Sequence, residues 1–314
     1  MASCLVTGGA GFIGSHIVEA LLERGQAVRV LDDFSTGSRS NLAHLGSQVE
    51  IVEGDLTNLE TVREATEGVE VVYHQGALPS VPRSVADPWT THQVCATGTL
   101  HVLMAAREAG VRRVVYAASS SAYGNSERLP KTETDPTNPL SPYAVAKLTG
   151  EHYCAAFHKV YGLETVRLRY FNVFGPRQSP DSPYAAVIPK FIRSMLRDEA
   201  PRLHGDGLQS RDFTYIDNVV QANLLAATVP GVGGRLYNVA CGHRITLVDL
   251  VAKLNSLLGT KLDPVFEEAR AGDVKHSQAD IRRAQEELGY RPRVNLDWGL
   301  RCCLEGMLER AAAA

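Results

Sequence analysis

In the segment SPYAVAK, residues 141 to 147, a tyrosine and a lysine stand four positions apart. On a helix one turn separates Tyr143 from Lys147, and both side chains point the same way. Free tyrosine titrates near about 10, too high for a base at neutrality, and a neighbouring ammonium favours its phenolate. Such a pair can therefore take and return a proton, although the same spacing is common on solvated helix faces. What surrounds it decides.

About twenty residues earlier the apolar run VRRVVYAASSS ends in Ser119, Ser120 and Ser121. Read as a strand, it delivers three hydroxyls to the C-terminal edge of a sheet, where an α/β fold has its ligand crevice. A serine beside the phenol can relay a proton from a substrate alcohol.

The third element is TGGAGFIG, with glycines at 8, 11 and 14. The G-x-x-G-x-x-G spacing differs from the usual G-x-G-x-x-G, but the physics is shared. Residues without Cβ let the backbone approach a pyrophosphate seated on the positive end of the next helix. The turn follows an apolar strand, opens a helical pattern, and precedes Asp32 at the tip of the next strand. A carboxylate there accepts from an adenosine ribose and repels a 2′-phosphate, which points to NAD rather than NADP. The charge of an oxidised nicotinamide would add to that of Lys147 in favouring the Tyr143 phenolate. Arg39, in the loop after DDFSTGS, is the weaker argument for a phosphate.

Positioning these groups takes a frame. CLVT, AVRVLDD, VEIVEGDL, VEVVYHQGA and VRRVVYAASSS alternate with helical stretches such as NLETVREATEG and TGTLHVLMAAREAG. That alternation predicts a doubly wound parallel sheet of Rossmann type. After a Pro- and Thr-rich loop, YAVAKLTGEHYCAAFHKVYG reads as a long helix ending at Gly162, and ETVRLRYFNVFG as a strand. Beyond Pro176 the alternation fades, and AAVIPKFIRSMLRD, TLVDLVAKLNSLLG and HSQADIRRAQEELG read as helices of a smaller C-terminal α/β lobe. The expected division is 1–173 for the dinucleotide-binding domain, with a return to it around 209–228, and 174–314 mainly for a substrate lobe.

Composition bounds the partners. The 314 residues are 44% hydrophobic and 21% charged, as in globular proteins. Lys plus Arg of 32 against Asp plus Glu of 35 gives a net charge of −3, with no basic bias to recruit nucleic acid. No apolar run approaches a bilayer span, the N-terminus lacks a secretory pattern, and a cytoplasmic protein without membrane partners is expected. The six scattered cysteines form no C-x-x-C, so reduced thiols and no metal are expected.

Taken together, TGGAGFIG, Asp32, Asp55, the Ser119 region and the Tyr143 to Lys147 motif resemble the extended short-chain dehydrogenase/reductase family of nucleotide-sugar enzymes. The stretches LRYFNVFGPRQ, AAVIPKF, GDGLQSRDFTYIDNV and RAGDVKHSQAD are similar to those of UDP-hexose 4-epimerases, especially the branch that accepts N-acetylated sugars. The resemblance runs from residue 3 to about residue 300. It implies catalysis by Ser119, Tyr143 and Lys147. It implies NAD binding by Gly8, Gly11, Phe12, Ile13, Gly14, Asp32, Asp33, Gly37, Asp55, Leu56, Gln75, Ala77, Tyr143, Lys147, Tyr170 and Val173. The UDP-sugar would meet Ser80, Ser119, Ser120, Tyr143, Asn172, Val187, His204, Arg211, Arg270, Asp273 and Ser277. A homodimer paired through the helices near 97–110 and 146–162 is also implied.

Relatives that dehydrate or decarboxylate the sugar resemble this chain but carry acidic residues beside the active serine or threonine, where Ser120 and Ser121 stand here. Epimerisation of UDP-glucose and UDP-galactose is therefore the expected reaction. Ser277 stands where similar enzymes that refuse N-acetylhexosamines carry a bulky tyrosine, and a serine there would leave space for the acetamido group of UDP-GlcNAc and UDP-GalNAc. A UDP-glucuronate 4-epimerase, another NAD-dependent nucleotide-sugar enzyme releasing NADH, and a silent dinucleotide-binding protein remain alternatives. The chain departs from the family at Cys95, usually Asn, at Pro79, where some relatives have lysine, and at His204, often an aromatic that stacks on uracil.

Overall fold

The computed structural model describes residues 3–178, 186–268 and 274–313. Its centre is a seven-stranded sheet in which every neighbouring pair runs parallel. Six strands are β1 (Cys4–Thr7), β2 (Val28–Asp32), β3 (Val49–Glu53), β4 (Val71–His74), β5 (Arg113–Ser119) and β6 (Glu164–Tyr170). A seventh, Leu236–Val239, pairs with β6 and was not identified in the sequence. The order across the sheet is Leu236–Val239, β6, β5, β4, β1, β2, β3.

The central strands β1, β4 and β5 read as nearly unbroken apolar runs because both faces are covered, whereas the edge strand β3 does not and is largely exposed. Alternate residues serve opposite cores, as the two-residue period requires. Cys4, Val6, Tyr73 and Val115 join the core beneath helices Phe12–Leu22 and Ile216–Thr228. Leu5, Val72, Val114 and Tyr116 join the opposite core, with Val62, Val102, Cys154 and Phe157 from three further helices. These are Leu59–Thr66, Gly98–Glu108 and Pro142–Tyr161.

Strand order reverses at β1, which lies between β2 and β4, so the crevice of a doubly wound sheet opens at the ends of β1 and β4. Thr7 and His74, the last residues of those strands, are register partners there. The chain leaves the sheet after β6 and returns to it through Ile216–Thr228 and Leu236–Val239.

Helices Val187–Leu196, Leu247–Leu258 and Leu296–Ala313 and, among the described residues, three two-stranded pairs lie outside the central sheet. Here one helix expectation needs correction. Only Arg282–Leu288 of HSQADIRRAQEELG is helical. The preceding residues are extended because other backbones claim them: Ser277 donates to the Ser210 carbonyl at 3.0 Å, and Lys131 donates to that of Gln278 at 2.8 Å. No helix among the described residues is long and apolar enough to cross a membrane.

Candidate active site

The helix Pro142–Tyr161 begins where its sequence says it must. Ser141 caps it by accepting the Ala144 N–H at 3.2 Å, Pro142 fills the first position, and Gly162 ends it at a φ of 73°. Its inner face lies on β5 closely enough that a Cβ at Gly150 would strike the Tyr116 hydroxyl. Tyr116 in turn donates to the Lys147 carbonyl at 3.1 Å. Tyr143 is half-buried and Lys147 is buried, facing the end of β5.

Ser119 closes β5, and its hydroxyl lies against the Tyr143 phenol. Ser121 donates its hydroxyl to Ser119 Oγ at 2.8 Å, and Ser120 is half-buried in the same turn. Lys147 does not pull the phenol down as its spacing led us to expect. Burial pushes the Tyr143 phenol above its ordinary value, Cys95 adds to the rise, and only the Ser119 hydroxyl opposes it. The reason is where the ammonium goes: Lys147 Nζ donates to the Ala117 carbonyl at 3.0 Å. Burial also lowers Lys147, against the opposing influence of Cys95, Cys154 and Glu151.

Glu151 lies one further turn along the same face and grips Arg169 of β6 with both oxygens, at 2.9 and 2.7 Å. Both side chains are buried, and the guanidinium sits 4.5 Å above the Tyr123 ring. The run Tyr143, Lys147, Glu151 at steps of four was the available signal for this partner.

The glycine turn is tight in three dimensions. Gly8 has a φ of 65°, and a Cβ there would meet Gly76 N and Cα at 2.7 Å. A Cβ on Gly14 would enter the Gly8 carbonyl, and one on Gly37 would meet Asp32 Oδ1 at 2.9 Å. Phe12 and Ile13 begin a helix with no side-chain cap at Gly11. A cradle only glycines fit, at an uncapped helix N-terminus, suits a dinucleotide pyrophosphate. The buried Asp32 carboxylate accepts from Ala10 N at 2.9 Å and Phe34 N at 2.8 Å, and burial raises its pKa despite those donors. Asp33 is exposed and bound to Ser35. Arg39 is committed to Glu53 and to the Phe34 ring.

Asp55 is exposed and accepts the Thr57 N–H at 2.8 Å, followed by buried Leu56. Gln75 leaves β4 beside half-buried Ala77. Tyr170, at the end of β6, donates toward Gln75 Oε1 at 3.2 Å and Asn223 Oδ1 at 2.9 Å. Asn223 was not foreseen; it comes from the returning helix and no local pattern marks it. Val173 belongs to a short strand paired with Thr214–Tyr215.

Cys95 stands in a π-helical turn, Gln93–Thr97, and is fully buried. Its Sγ accepts the Leu78 N–H at 3.4 Å, so the thiol ties this loop to the helix. Ser80 is the cap of helix Val81–Ala86 and accepts the Arg83 N–H at 3.1 Å.

Between β6 and the strand at Val173, Asn172 has a φ of 34° and donates to the Asp212 carbonyl at 3.2 Å. Arg211, the residue before Asp212, donates to the Ser210 and Lys275 carbonyls at 3.0 and 3.2 Å. The Asp212 carboxylate gathers the backbones of Cys241, Gly242 and Ala279 at 3.0 to 3.2 Å, joining three loops of this wall. Ser277 is bound by its N–H to Ser210, Val187 starts helix Val187–Leu196, and His204 contacts Glu267 at 3.4 Å. Arg270 and Asp273 lie outside the described residues.

The family described as NAD dependent epimerase/dehydratase matches residues 4–240. A UDP-glucose 4-epimerase of Mycolicibacterium smegmatis is 38% identical over 300 residues, 94% of this chain and 95% of that one. A UDP-N-acetylglucosamine 4-epimerase from Methanobrevibacter ruminantium, solved in complex with UDP-N-acetylmuramic acid, is similar at a TM-score of 0.94 and 37% identity, covering 98% of this chain and 99% of its own. The Thermus thermophilus UDP-glucose 4-epimerase in complex with NAD is similar at a TM-score of 0.88 and 35% identity, covering 97% and 98%.

Proposed function

The chain belongs to the NAD dependent epimerase/dehydratase family, and on that premise we propose that it is a UDP-hexose 4-epimerase acting on UDP-glucose and UDP-galactose and also on UDP-GlcNAc and UDP-GalNAc. The observation that carries the reading is the meeting of Ser119 and Tyr143 at the end of the strand that Lys147 also grips.

The Gly8 to Gly14 turn and Asp32 would hold the pyrophosphate and ribose of NAD. NAD, when bound, would supply a reversible hydride acceptor at the sugar's C4. Tyr143 takes the proton from the 4-OH and returns it after the 4-ketose has turned, so one phenol is both base and acid. Ser119 orients that hydroxyl. Lys147, anchored at Ala117, keeps positive charge one turn from the phenol and has further N–H donors for the nicotinamide ribose. Arg211 presents a guanidinium fork that suits a diphosphate, and Arg270 is proposed as its companion.

The turn Ser119 to Tyr123 contains no carboxylate, so it offers no second acid or base to eliminate water or carbon dioxide. That supports epimerisation over dehydration. Serine at 277 supports the wider sugar range.

A homodimer is proposed with it. The helix Pro142–Tyr161 exposes Val145, Val160 and Tyr161 to 50%, 68% and 52%, an apolar edge that a second copy would cover.

The test is to incubate the purified protein with each of the four UDP-sugars and follow the anomeric region by NMR. Two 4-epimer pairs should interconvert, Tyr143→Phe should lose activity by roughly 10²-fold or more, and Ser277→Tyr should lose only the N-acetylated pair. Full activity of Tyr143→Phe would sink the proton-transfer role.

A further inference from the structure

His74 is buried to 1% at the end of β4, between Thr7 and Thr99, which are 0% and 1% exposed. Its Nδ1 lies 2.7 Å from Thr7 Oγ1 and its Nε2 2.9 Å from Thr99 Oγ1. The direction of every proton here follows from the ends. The Cys95 carbonyl can only accept, so Thr99 donates its hydroxyl to it, at 2.6 Å. With that proton spent, the Thr99 oxygen accepts from His74 Nε2–H. A neutral ring then has a lone pair at Nδ1, which accepts from the Thr7 hydroxyl. The Thr7 oxygen is left to accept the Gly76 N–H, at 3.2 Å.

Each end of this chain touches a different part of the site. Gly76 is the residue against which Gly8 of the glycine turn packs. Cys95 faces both Tyr143 and Lys147 and ties down Leu78 N–H. We propose that His74 is a positioning residue, fixed as the Nε2–H tautomer, whose directional hydrogen-bond chain from Gly76 to Cys95 holds the cofactor turn in register with the catalytic helix. Burial keeps the ring neutral, with its pKa lowered to about 3, so the chain persists across neutral pH. The ring's other neighbours are the Tyr116 ring, with centroids 5.7 Å apart, and the Lys147 ammonium, which adds to the lowering.

The role rests on the NAD reading of the turn and is independent of the sugar. Its first test is long-range ¹⁵N–¹H correlation on the wild-type protein, labelled at histidine, from pH 5 to 8. The expected result is one His74 signal with the Nε2–H pattern and no titration; an Nδ1–H pattern or a protonated ring in that range overturns the proposal. The second test measures NAD affinity calorimetrically on protein stripped of nucleotide. Thr99→Val, nearly isosteric but without the hydroxyl, should bind NAD roughly tenfold more weakly. Thr99→Ser should stay within about twofold, because it keeps both the donor and the acceptor. His74→Gln, whose amide presents an acceptor and a donor at one end, should outperform His74→Phe. A folded Thr99→Val with wild-type NAD affinity overturns the positioning role. Failure of the wild-type protein to bind NAD instead overturns the cofactor reading, and binding without epimerisation overturns only the proposed reaction.

Discussion

Lys147 Nζ reaches the Ala117 carbonyl at 3.0 Å, two residues before Ser119 on the same strand. The bond makes the lysine a strut between helix Pro142–Tyr161 and the strand that carries Ser119, as well as a charge one turn from the Tyr143 phenol. Lys147→Met should therefore lower kcat/KM by at least about 10²-fold, since it removes the strut to Ala117 and the N–H donors proposed for the nicotinamide ribose. Thermal stability should hold or rise, because the buried ammonium carries a desolvation cost that a thioether does not. Melting curves and initial rates on one preparation check both halves.

Gly14→Ala should abolish NAD binding without unfolding the sheet. The added Cβ enters the Gly8 carbonyl, so the turn must open where it would approach the pyrophosphate. Nucleotide content after gel filtration, read beside the far-ultraviolet circular dichroism, separates loss of binding from loss of fold.

Arg169→Met leaves the Glu151 carboxylate buried and unpaired, and should cost about 3–5 kcal/mol. The double variant Arg169→Met, Glu151→Met removes both charges and should recover most of that loss. Urea midpoints of the three proteins measure it.

Much of the site was legible because its signals are local. The cap at Ser141, Pro142, the Tyr143 and Lys147 step and the closing Gly162 all lie within one helix. The Gly8 to Gly14 turn and Asp32 lie within one βαβ unit. What was not legible depends on contacts far apart in sequence. Thr7, His74 and Thr99 meet across 67 and 25 residues, and each alone is an ordinary strand or helix residue. Leu236–Val239 is only four residues long and joins the sheet by pairing with β6, so no alternation announced it. The polar stretch before Arg282 was read as helix because nothing within it reveals the Ser210 and Lys131 backbones that hold it extended.

His74 also predicts the acid side of the stability curve. The folded ring has its pKa lowered to about 3 from the ordinary 6.5. Between those values the unfolded chain binds a proton that the folded chain refuses. The contribution is thus fully present above pH about 6.5 and is lost as pH falls toward 3, by up to about 1.4 kcal/mol per unit. Urea midpoints at pH 7, 6, 5 and 4 should fall more steeply for the wild type than for His74→Gln, whose amide does not titrate. Parallel curves would show that His74 takes up protons freely in the folded state.

The central claim is that the C4 hydrogen leaves the sugar and comes back to the same carbon within one binding event. UDP-galactose deuterated at C4, incubated in ordinary water and analysed by NMR and mass spectrometry, tests it most directly. UDP-glucose should form with the deuterium retained at C4, more slowly than from unlabelled substrate and without accumulating NADH. Loss of the label to solvent, or NADH growing in step with sugar consumed, would contradict it.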